Sequence, residues 1–157
     1  MNDCSPHEVR ALMRTDFCSF LQRSFHELMP QAKFWPNWHI EHIAGKLDAC
    51  RQGRIRRLII NVPPRSLKSL AGSVALPAWW LGHDPSAQII AVSYAQDLSD
   101  KLARDCRTLM MSTWYQSLFV TRLSAERKAV GEFVTTMGGS RLATSVSGVL
   151  TGRGATV

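Results

Sequence analysis

The sequence has no apolar run long enough to cross a bilayer. Its longest such stretch, residues 70–82 (LAGSVALPAWWLG), is interrupted by Pro77 and falls short of the roughly 20 residues a spanning helix needs. It has no CxxC pair: Cys4, Cys18, Cys50 and Cys106 lie far apart, with no histidine at zinc-ligand spacing, which argues against a structural zinc site or a disulfide framework. The first ten residues, MNDCSPHEVR, carry acids and lack an apolar core, so they do not read as a secretory signal. Internal repeats and low-complexity linkers are absent too. These absences lead us to expect a soluble protein of the cytoplasm with free thiols and no membrane partner.

Acidic residues are scarce as well. Twelve Asp and Glu stand against 19 Lys and Arg, a formal charge of +7. Such an excess favours an anionic partner, whether nucleic acid, nucleotide phosphate or an acidic protein. The densest cluster is Arg51, Arg54, Arg56 and Arg57, followed by Arg65 and Lys68; a solvated basic face accounts for the same letters. At 157 residues, 45% hydrophobic and 20% charged, the chain has the size and composition of one globular domain.

Ser5, Pro6 and Glu8 form a helix-start signature of cap, first-turn proline and capping-box acid. Apolar residues from Val9 to Leu28 then recur every three or four positions, predicting one amphipathic helix that ends at Pro30. A Trp and Pro loop, KFWPNWH, precedes a second helix carrying Ile40, Ile43, Ala44 and Leu47, which Gly53 should close. RLIINV, residues 57–62, is a continuous aliphatic run, as expected of a strand buried on both faces of a parallel sheet. Ser69–Leu81 reads as a helix kinked or broken by Pro77, GHDPSA as a turn, QIIAVSY as a second buried strand, and 95–111 as a helix. GEFVTT and SRLATSV, either side of Met137 and two glycines, read as a β-hairpin. Strand, loop, helix, turn, strand, helix is the order of an α/β domain with parallel strands and right-handed crossovers.

Residues 61–69, NVPPRSLKS, sit at the first strand-to-helix junction. Phosphate loops occupy such junctions because consecutive amides and the helix N-terminus converge on an anion. Lys68 is placed to reach the outer phosphates and Ser69 to hold magnesium, as in GxxxxGK[ST]. The glycines of that motif are missing: Val62 and Leu67 stand in their places. Pro63 and Pro64 have no N–H to donate, so any nest must come from Arg65 through Ser69, and the Cβ of Leu67 opposes both positive φ and close approach. A capped helix start after a proline turn remains the alternative.

Three ordered blocks, RLIINVPPRSLKS, LGHDPSAQIIAVSYAQDLSDKLARDCR and GVLTGRGA, together resemble the N-terminal ATPase portion of a tailed-phage (prophage) terminase large subunit, over about Trp35–Ala155. In that family PPR, two residues and KS form a deviant Walker A. The resemblance implies a P-loop NTPase-like α/β fold: a mostly parallel sheet with flanking helices and an N-terminal helical extension. Residues 1–52 would be that helical segment and 53–157 an incomplete ATPase core, in one partial domain. It implies ATP and Mg2+ as ligands, bound by Arg65, Ser66, Leu67, Lys68 and Ser69. Lys68 would lie on the β and γ phosphates, Ser69 on the metal, and Arg65 would act catalytically at the γ-phosphate. Trp38 and His39, with Trp35, stand where the family places an adenine-side element, although a Trp and Pro loop closing on a core is the commoner explanation.

The implied partners are double-stranded DNA, the portal, the small terminase subunit and further copies of the chain, in the bacterial host cytoplasm. Arg51, Arg54, Arg56 and Arg57 would face DNA phosphates or a neighbouring subunit, or simply solvent. Asp97, Asp100, Lys101, Arg104 and Asp105 read as charge pairs on an exposed helix side. Thr151, Gly152, Arg153 and Gly154 match the block before Walker B, with Arg153 a phosphate or DNA contact. In relatives an aspartate, a strand and an acidic pair come next; here TV follows, and no Asp or Glu occurs after Glu132. The expectation is therefore a truncated ATPase fragment that binds nucleotide without competent ATPase or nuclease activity, with one sheet edge unpaired. The alternative is a non-catalytic basic remnant that binds DNA or portal.

Overall fold

The computed structural model describes residues 5–125, 131–148 and 154–157. Helix α1, Pro6–Thr15, begins with the capping box: the Ser5 N–H donates to Glu8 Oε2 at 2.7 Å and the Glu8 N–H to Ser5 Oγ at 3.3 Å. The single amphipathic helix expected as far as Pro30 is in fact two. Asp16, with φ −114° and ψ 110°, closes α1 and caps α2, Phe17–Leu28, by accepting from the Ser19 N–H at 2.8 Å. An apolar repeat that continues across the break hides a cap residue of this kind.

Helix α3, Trp38–Arg51, ends in a Schellman motif, with the Gly53 N–H bonded to Cys50 and the Arg54 N–H to Ala49. Gly53 has φ 73°, the left-handed geometry that glycine adopts without a Cβ penalty. Residues 58–63 carry no strand, and Ile59 is 94% exposed. The run is aliphatic enough to be buried, but among the described residues no backbone ladder pairs with it.

Lys68–Leu70 (α4), a π-helical segment Ala71–Ala75 and α5, Leu76–His83, run on as one helix. Pro77 neither ends nor breaks it. Proline has no N–H for the carbonyl four residues back, here Ser73; Arg141 Nη2 donates to that carbonyl instead, at 2.9 Å. The π segment lies where helix register has to shift to accommodate this.

Strand β1, Gln88–Ser93, leads to α6, Gln96–Met111, then to the short α7, Thr113–Leu118, which the sequence pattern did not signal. The expected hairpin is present as β2, Glu132–Val134, and β3, Ser140–Ser145. Its turn uses Gly138 at φ 86°, and at Gly139 any Cβ would collide with the Pro85 carbonyl. The sheet has the order β1-β3-β2, with β1 parallel to β3 and β2 antiparallel to it. On the far side of β1, the Val157 N–H donates to Gln88 and the Ile90 N–H to the Val157 carbonyl. One residue bonded to two positions two apart is the parallel pattern.

The chain is thus a mixed α/β protein with a small three-stranded mixed sheet among the described residues. The core lies between the α2 face (Phe17, Phe20, Leu21, Phe25) and α5, α6 and α7, centred on the fully buried Trp79 and Tyr115. Phe17 lies 5.0 Å from Trp79, ring centre to ring centre, and the Tyr115 hydroxyl donates to Ala78 at 2.8 Å. No helix among the described residues is long and apolar enough to cross a membrane.

Candidate functional site

The loop from Pro63 to Leu67 is a turn followed by a bend, entering helix α4 at Lys68. Two of its residues are left-handed without being glycine: Arg65 at φ 65°, and Leu67 at φ 58° and ψ 10°. Each costs on the order of 1–2 kcal/mol relative to an ordinary conformation. Leu67 is held there by packing of its half-buried side chain against the core. The Cβ that argued against positive φ is accommodated, so this loop takes a glycine-like turn without glycine. Left-handed Leu67 followed by right-handed Lys68 turns successive amides to one side, the arrangement that forms an anion nest.

The electrostatics point the same way. Leu67 occupies the N-cap with no side-chain cap bond, and the first turn holds no acid but does hold Lys68. A helix start normally takes Ser, Thr, Asp or Asn at the cap to satisfy its free N–H groups. Among the described residues no side chain caps those amides, and the positive end of the helix dipole carries no acid in its first turn. Arg65, Lys68 and Ser69 are exposed and Ser66 half-buried, and none of their side chains is hydrogen-bonded or ion-paired among the described residues. Two uncompensated cations beside uncapped amides suit a polyanion, and the exposed Ser69 hydroxyl is free to take a cation ligand.

Trp38 and His39 begin α3, capped by Asn37, with their rings edge-on at 6.2 Å. Trp38 is 77% exposed and lines a shallow groove of about 640 Å³ with His42, Lys46, Arg54 and Ile55. No residue of the 63–69 loop lines that groove. Trp35 is exposed too, with Lys33 Nζ 4.0 Å above its ring, a cation–π pair on the surface.

The arginine cluster divides. Arg51 is taken up internally, 3.2 Å from Asp48 and 4.6 Å over the Trp79 ring, whereas Arg54, Arg56 and Arg57 are exposed. On α6, Lys101 pairs with Asp105 at 2.7 Å and Gln96 bonds Asp100 at 2.8 Å, in line with the charge-pair reading. Thr151, Gly152, Arg153 and Cys4 lie outside the described residues, while Gly154 is exposed. Cys18 and Cys50 are free and half-buried, and Cys106 is free and buried. Burial pushes the Cys106 thiol up to about 11, leaving it protonated and inert near neutrality.

Sequence reasoning missed Arg141. Its side chain is wholly buried, and among the described residues Nε and Nη1 have no partner while Nη2 serves Ser73. The signal was present in Pro77, which leaves a carbonyl to be satisfied, but nothing in the sequence says which donor arrives. No family model, curated protein or solved structure matches the chain.

Proposed function

We propose that this protein is the nucleotide-binding N-terminal portion of a tailed-phage terminase large subunit, with a P-loop NTPase-like core that takes ATP and Mg2+ at residues 65–69. The carrying observation is the pair of left-handed non-glycine residues, Arg65 and Leu67, at an uncapped, acid-free helix start. Strain of this kind persists where the surrounding structure holds it and tends to cluster at ligand sites. A merely structural helix start would be expected to carry a cap instead.

In this reading the amides of Ser66 to Ser69 cradle the phosphates. Lys68 lies on the β and γ phosphates and Arg65 offsets charge at the γ-phosphate. The Ser69 hydroxyl holds magnesium, which neutralises phosphate charge. Exposed Arg54, Arg56 and Arg57 form the side offered to double-stranded DNA. The same exposed arginines support a second reading, a basic module that binds DNA or a portal without turning over nucleotide.

The test is equilibrium binding of a fluorescent ATP analogue with magnesium to the wild-type chain and to Lys68→Ala. Saturable binding that weakens about 10- to 100-fold in the mutant is expected, the scale of a lost charge-assisted hydrogen bond. A folded wild type that binds duplex DNA but no nucleotide would overturn the ATP site and leave the second reading standing.

A further inference from the structure

Helix α3 carries a trough along its outer face. Trp38, His42, Gly45 and Lys46 fall at helical spacing and line it together, and Arg54, just past the Gly53 stop, lines it too. The middle of the trough is bare, because Gly45 has no side chain and a Cβ built there would meet nothing within 4 Å. Its volume of about 640 Å³ falls within the roughly 300–1,000 Å³ of small-ligand sites.

Two features of the walls point to the same ligand chemistry. The first is an unused aromatic face. Trp38 is 77% exposed, and among the described residues its ring meets only the edge of His39, with no cation above it. Trp35 differs, because Lys33 covers its ring. The second is uncompensated charge. Among the described residues the side chains of Lys46 and Arg54 make no hydrogen bond or ion pair. Glu41, the acid in the lining, is shared with a neighbouring hollow that also holds Asp16 and Asp48.

We propose that this trough binds single-stranded nucleic acid, with one unpaired base stacked on Trp38 over Gly45 and the flanking phosphates on Lys46 and Arg54. A flat ring between cations suits a ligand that alternates flat rings with anions. Duplex DNA offers the phosphates but not the base face, since its bases already stack on one another. An acidic peptide offers the anions without the ring. Arg54 is shared with the side proposed for duplex DNA, but the inference needs neither that reading nor ATP at the 65–69 loop.

The test uses the full chain and a fluorescein-labelled oligothymidylate of about 12 nucleotides, followed by anisotropy without ATP or magnesium. Saturable binding is expected, weakened about tenfold or more by Trp38→Ala, the scale of one lost base stack, and largely restored in Trp38→Phe. Gly45→Leu fills the trough from an exposed helical position and should also block binding. In Lys46→Ala with Arg54→Ala, the slope of log affinity against log salt should fall by about 1.4, two phosphates at roughly 0.7 each for a single strand. Absence of saturable binding by a folded chain, or binding unchanged in both Trp38→Ala and Gly45→Leu, overturns the proposal. So does displacement of the oligonucleotide by poly-glutamate or duplex DNA as readily, charge for charge, as by unlabelled single strand, because the trough would then read charge alone. Duplex binding that survives Trp38→Ala while single-strand binding is absent would sink this inference and leave the duplex reading intact.

Discussion

At the scale of single residues, conformation and burial conflict with residue type in two places, and the two conflicts differ in kind. Arg65 holds φ 65° on an exposed loop with no packing to compensate it. Arg65→Gly should therefore raise the urea midpoint, by about 0.5–1 kcal/mol in stability after the extra unfolded-state freedom of glycine is subtracted. The same change should weaken binding of the ATP analogue, because it removes a cation. Stability rising as affinity falls is the mark of a strained ligand site; a variant that gains in both would count against a role for Arg65. Leu67 differs, because its side chain packs against the core and the strain there is offset by burial.

At the scale of elements, the helix from Lys68 to His83 persists through Pro77 because β3 supplies the missing donor. Arg141→Ala would leave the Ser73 carbonyl unpaired and a cavity in the core, at a cost of roughly 3–5 kcal/mol. Adding Pro77→Ala restores an N–H four residues beyond Ser73. The double mutant should then recover about 1 kcal/mol relative to the sum of the single changes, as measured by a urea double-mutant cycle. Strict additivity would mean that proline and arginine are not coupled through that carbonyl. The same bond ties the sheet to the helix that starts at the candidate phosphate loop, so a change at Arg141 also disturbs that helix.

At the scale of the whole molecule, three distant segments meet at His83. Its ring lies 4.7 Å from that of Trp79 and 5.3 Å from that of Phe119. Burial holds its pKa below the usual value, the Arg51 guanidinium adds to this, and a hydrogen bond from the His83 ring to the Arg14 backbone carbonyl opposes it. A lowered folded-state pKa means the fold prefers the neutral ring. Its contribution is complete above the unfolded pKa of about 6.5 and is lost as pH falls from there toward the folded value. Thermal unfolding of the wild type should therefore move to lower temperature between pH 7 and pH 5.5, with a shallower slope in His83→Gln. Equal slopes would show that other groups carry the pH dependence.

Much of this architecture was legible in the sequence because its causes are local. The Ser5 to Glu8 capping box, the Gly53 stop, the strand 88–93, the helix after it and the hairpin around Gly138 each follow from residues within a few positions of one another. The address of the 63–69 loop, between an aliphatic run and a helix, was legible for the same reason. What only the tertiary structure decided depends on partners distant along the chain. A continuous apolar stripe could not show that Asp16 divides it into two helices, since the stripe faces one core on both sides of the break. Aliphatic composition made 58–62 a strand candidate, but a strand needs a ladder, and composition supplies none. Proline at position 77 foretold a missing hydrogen bond, yet its replacement by Arg141, 68 residues beyond Ser73, belongs to the fold alone. Local propensity fixed which segments form and where they start and stop; long-range pairing decided which of them became a sheet, and which buried polar groups found partners.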